Sequence, residues 1–115
     1  MKTIMILATL AFSSQIFAAA SGPVCYLDIT KNNVTERTEI KLTEVQHPNA
    51  DIPGYVIHTE TDKYRLSVFN ADGNYNATLV VGAKTVEASV SDEDLVLELD
   101  SRGSNYLLNC PRYIY

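Results

Sequence analysis

The amino-acid sequence predicts an all-β fold, a small antiparallel β-sandwich or barrel of about eight short strands with one disulfide joining the first strand to the last. Three features predict it. Apolar and polar residues alternate with a period of two from Val24 onward, and helix-period stretches are hard to find. Turn residues recur between these alternating runs, as in Asp72-Gly73, Gly82-Ala83 and Gly103. Finally, the two cysteines, Cys25 and Cys110, fall on inward-facing positions of the first and last runs.

The residues ahead of the first run have a different character. Met1-Lys2 is a short positive start, Thr3 to Phe12 is apolar and uncharged, and Ala18 and Ala20 are the small residues that a signal peptidase pocket accepts. Residues 1–20 are therefore expected to be a signal peptide, with cleavage after Ala20 and residues 21–115 forming a single all-β domain. The apolar run is shorter than the roughly 20 residues needed to cross a bilayer. No later segment approaches that length, so no membrane insertion of the mature chain is expected. Val24 and Pro23 stand where a lipid-modified Cys25 would need small residues, which argues against a lipid anchor.

Each run then follows in order. Val24 to Thr30 turns Cys25, Leu27 and Ile29 to one face and Tyr26, Asp28 and Thr30 to the other. Thr38 to Glu44 sends Ile40 and Leu42 inward. Tyr55 to Thr61 and Tyr64 to Asn70 form a hairpin turning at Asp62-Lys63, with Leu66 and Val68 as its inward pair. Asn76 to Val81 and Lys84 to Val90 meet at the tight turn Gly82-Ala83. Asp94 to Asp100 alternates Leu95, Leu97 and Leu99 with Asp94, Val96, Glu98 and Asp100. Asn105 to Tyr113 closes the chain with Tyr106, Leu108 and Cys110 on one face. Pro111 removes a backbone donor, so the last strand is expected to lie at a sheet edge or to leave the sheet there. The longest irregular piece is Gln46 to Gly54, where Pro48 and Pro53 argue against a strand.

An exported chain meets oxidising conditions, and two cysteines allow one intramolecular pairing, Cys25 with Cys110. Their spacing closes nearly the whole domain into one loop. Such a staple suits a chain whose core is too small to be generous by itself.

Charge and motifs narrow the function. The formal charge of −5 becomes −6 once Lys2 is removed, and there is no basic cluster. Nucleic acid and anionic membrane surfaces are thereby disfavoured as partners. The acidic run Ser91 to Asp100 spreads its carboxylates along a flat strand, which does not gather the six to eight oxygens a calcium ion takes. Asn70 to Val81 lacks the glycine and glutamate positions of a calcium loop. His47 and His58 are the only histidines, nothing in their spacing brings them together, and no G-x-S-x-G is present. No catalytic residues, no metal and no cofactor are expected. The sequons at Asn33 and Asn76 would accept glycans only in a eukaryotic secretory pathway, and no modification is assigned to them.

Seven tyrosines accompany one mature-chain phenylalanine, Phe69, and no tryptophan. Tyrosine supplies contact area at low entropic cost. Two contact surfaces are expected on this basis and on loop length. One is the proline loop with His47, Pro48, Asn49, Asp51 and Pro53; the other is the C-terminal Arg112, Tyr113 and Tyr115. The expected function is a monomeric, secreted or periplasmic, non-catalytic binding module for another protein or other ligand. The alternative is a structural or assembly subunit of an envelope or extracellular complex.

Overall fold

The computed structural model describes residues 22–45 and 54–113. They form nine β-strands and no helix: β1 (Val24–Lys31), β2 (Val34–Lys41), β3 (Thr43–Val45), β4 (Gly54–Glu60), β5 (Arg65–Ala71), β6 (Asn74–Val81), β7 (Lys84–Ser91), β8 (Leu95–Ser101) and β9 (Ser104–Cys110). The order β2-β1-β9-β8 makes one sheet and β3-β4-β5-β6-β7 the other, and every pairing is antiparallel. The chain is an up-and-down meander whose last strand returns to pair with the first. Two sheets face each other across one core, as in a sandwich.

The expected inward residues Cys25, Leu27, Ile40, Leu42, Leu66, Val68, Leu95, Leu97, Leu99, Tyr106, Leu108 and Cys110 are buried, and the strands given no inward face from sequence complete the core. Cys25, Leu27, Ile40, Leu95, Leu97, Leu99, Tyr106, Leu108 and Cys110 come from the first sheet; Tyr55, Leu66, Val68, Tyr75, Ala77, Leu79 and Val81 come from the second. All belong to a single buried cluster, with Leu42 at the corner between the sheets. The Cys25–Cys110 disulfide is present, with Cα atoms 4.2 Å apart. It extends the β1–β9 register one step past Tyr26↔Asn109, so the bridge links neighbouring strands of one sheet.

Two details differ from the sequence reading. The segment expected over Thr38–Glu44 is two strands: β2 starts earlier, at Val34, and after Lys41 the chain changes sheets. Leu42 N–H donates to the Pro23 carbonyl at 3.1 Å at that crossing, and β3 resumes on the other sheet. Asn32 and Asn33 make the tight turn before β2; both take positive φ, 53° and 64°, which asparagine tolerates and a two-residue hairpin requires. Of the two outcomes expected at Pro111, the strand leaves the sheet there rather than lying at an edge. β9 lies between β1 and β8 and ends at Cys110, so Pro111 falls just beyond the ladder where its missing donor is harmless.

One core-facing residue breaks the apolar pattern. Asn70 is 1% exposed, lies between Tyr55 and Tyr75 across β4, β5 and β6, and has no hydrogen-bond partner for either side-chain polar atom among the described residues. A buried amide without partners opposes folding. Asn70→Leu is expected to stabilise the domain by about 1 kcal/mol, raising its melting temperature by roughly 4–8 °C. A lower melting temperature for this variant by calorimetry would contradict that account.

Candidate functional site

Because the strands alternate in direction, their connections fall at two ends. One end holds the disulfide, the β5–β6 turn at Asp72-Gly73, the β7–β8 turn at Asp92 to Asp94, and the Leu42 crossing. The other holds the four hairpins at Asn32-Asn33, Thr61 to Tyr64, Gly82-Ala83 and Arg102-Gly103.

At the disulfide end the C-terminal residues are strapped down. The Tyr75 hydroxyl donates to the Pro111 carbonyl at 2.8 Å. Arg112 N–H donates to Asp94 Oδ1 at 2.7 Å, and its Nε–H donates to Asp92 Oδ1 at 2.9 Å. Tyr113 meets Tyr55 edge-on with ring centroids 5.3 Å apart, its hydroxyl donating to that of Tyr55 at 3.4 Å. Gly22 lies against the Tyr55 ring so closely that a Cβ would collide with Cδ1. The hydroxyl contact with Tyr113, then burial, pushes the Tyr55 phenol up to about 12. Burial, together with nearby Tyr113 and Asp94, pushes Tyr75 up to about 12. Both phenols therefore stay protonated in neutral solution.

Arg112 and Tyr113, expected as part of a contact surface, bond back onto the domain, with Arg112 still exposed and Tyr113 partly buried. The local reason is that the acidic β7–β8 turn stands where the tail leaves β9. Val45 pairs with Gly54 at this same end. His47, Pro48, Asn49, Asp51, Pro53 and Tyr115 lie outside the described residues.

The hairpin end is built differently. β3 is only three residues long and pairs with Gly54 to Val56, leaving Ile57 to Glu60 of β4 without a partner on that side among the described residues. On β2, Val34, Glu36 and Thr38 share the face of buried Ile40 yet are exposed, with no strand of the opposite sheet covering them among the described residues. The sandwich is open here. The opening is a groove of about 560 Å³, and all four hairpins contribute to it. Its volume lies in the range of small-molecule sites, about 300–1,000 Å³.

Ile29, Val34, Val81 and Tyr106 give the groove an apolar lining. Tyr106 is held edge-on by Tyr64, ring centroids 6.3 Å apart. Lys31, Lys63 and Arg102 stand around it with Glu36 and Asp62. None of these three cations makes an ion pair among the described residues, whereas Arg37 pairs with Asp28, Lys41 with Glu39, and Arg112 with Asp92. Lys84, in an adjoining shallow groove that shares Arg102, donates instead to the Asp100 carbonyl at 2.6 Å.

Sequence reasoning did not single out this groove. A signal was nevertheless present. Once the strands are numbered as a meander, Lys31, Lys63, Lys84 and Arg102 fall at the connections of one end, and Asp72, Asp92, Glu93 and Asp94 at those of the other.

Two other constellations can be weighed geometrically. His58 Nδ1 and Ser67 Oγ lie 2.7 Å apart on the outer face of the second sheet. Ser67 sits mid-strand, paired on both sides with His58 and Thr78, so its neighbouring backbone amides are committed to the ladders and form no oxyanion hole. The acidic face of β8 is bridged from β9, Asn105 Nδ2 donating to Glu98 at 2.7 Å and to Asp100 at 2.8 Å. Among the described residues no group of three or more His, Cys, Asp or Glu side chains is placed to hold a metal ion.

No helix among the described residues is long and apolar enough to cross a membrane. Compared with protein-family models, with curated proteins and with solved structures, the chain matches none.

Proposed function

We propose that this protein is an exported, non-catalytic binding module that takes a small molecule into the groove at its hairpin end. The observation that carries the reading is the exposed inner face of β2, beside which lies a concave, partly apolar site. The Cys25–Cys110 bridge supports export, since such bonds form and persist in the periplasm or outside the cell.

Amide chemical-shift mapping of the oxidised chain against a small-molecule fragment library tests this. Hits are expected to move Ile29, Val34, Val81 and Tyr106. Hits confined to Tyr55 and Tyr113, or none anywhere, would remove the groove as the site.

One observation favours the second reading, an assembly subunit. β2 offers eight residues of backbone whose outer edge is unpaired among the described residues, and an incoming strand could add to it. Concentration-dependent self-association in sedimentation equilibrium, abolished by Glu39→Pro on the outward-facing edge of β2, is the outcome that would favour it.

A further inference from the structure

We infer that the ligand of the hairpin-end groove is a small amphipathic anion, with a carboxylate, sulfate or phosphate head on an apolar body. The inference deepens the groove reading and rests on it. Two independent observations carry it.

The first is charge. The domain is strongly acidic, yet three cations without ionic partners among the described residues, Lys31, Lys63 and Arg102, line one opening. Of the other described cations, only Arg65 also lacks a partner, and it adjoins the same hairpin as Lys63. Unpaired cations over an apolar floor of Ile29, Val81 and Tyr106 suit a ligand with one charged and one greasy end. Glu36 and Asp62 share the rim and are outnumbered by the cations.

The second is backbone conformation. Arg102 occupies the first position of a two-residue turn at φ 51°. The other non-glycine residues with positive φ are asparagines and aspartates, which tolerate that region because their short side chains bond locally. Arginine gains nothing there, and asparagine would suit the turn better. Strain of this kind, held at the mouth of a groove, points to a side chain retained for what it contacts. Arg102 offers a planar, permanently charged fork that matches an oxyanion.

Calorimetric titration with decanoate below its micelle concentration, beside decanol, tests the inference, with amide mapping to locate each. Decanoate is expected to bind in the groove about tenfold more tightly than decanol, as charge-assisted hydrogen bonds require. Arg102→Asn should weaken decanoate several-fold, leave decanol unchanged, and leave the melting temperature equal or higher. Lys31→Gln with Lys63→Gln gives an independent variant on exposed side chains.

Equal binding of decanoate and decanol in the groove would overturn the anion while leaving the groove reading intact. Shifts confined to the Tyr55–Tyr113 end would overturn both. Capture by phosphatidylglycerol vesicles without binding of monomeric decanoate would replace a soluble ligand with a membrane surface, and so overturn the inference as stated.

Discussion

Replacing Cys25 and Cys110 together by alanine will lower the stability of the domain by about 4 kcal/mol, the loss expected when a loop of this length is no longer closed in the unfolded chain. The bridge spans 85 residues of sequence, so the unfolded ensemble it constrains is almost the whole described domain. For a chain of this size the loss corresponds to a melting temperature lower by roughly 15–30 °C. Alanine is preferred to serine because both positions are fully buried and a hydroxyl there would add an unpaired polar group. Urea unfolding of the variant and of the oxidised parent measures the difference. A loss below about 1 kcal/mol would mean that the β1–β9 ladder constrains the ends unaided, and that the loop-closure account of this bridge is wrong.

Leu108→Ala will have the next largest effect, about 3 kcal/mol, in the range set by transfer plus cavity terms for buried leucines. Leu108 is fully buried and lies between Leu27 of β1 and Leu97 of β8 in register. Truncation there opens a cavity at the seam where the meander returns to its first strand. Leu107→Ala, one residue away on the half-exposed outer face, should cost less than about 1 kcal/mol. Urea midpoints at unchanged slope provide the comparison. Equal losses at the two positions would reverse the assigned parity of β9.

The contrast between Leu107 and Leu108 shows why so much of this fold could be read without coordinates. In a strand the side-chain period is two, so a single alternating run states which residues face inward. Leu66, Val68, Leu95, Leu97 and Leu99 were legible for that reason. Asp72-Gly73 and Gly82-Ala83 were legible because few residue types accept the backbone those turns require. Asn32-Asn33 carries no comparable turn signal, because asparagine is also a glycan acceptor and a generic loop residue. β2 was cut short because Val34, Glu36 and Thr38 carry no consistent inward signal: their face is left uncovered.

That uncovered face is also the reason the groove could not be read. A groove is a statement about what is missing opposite a strand, and no local pattern encodes a missing neighbour.

Short-range periodicity and the count of cysteines sufficed for the all-β class, for the inward faces of β1, β5, β8, β9 and the Ile40–Leu42 stretch, and for the pairing of Cys25 with Cys110. Tertiary structure alone decided that β9 is an interior strand, that Arg112 and Tyr113 fold back onto Asp92 and Tyr55, and that Lys31, Lys63 and Arg102 meet at one opening. Those outcomes depend on which strand lies beside which, and hydrogen-bonded ladders between distant segments set that order.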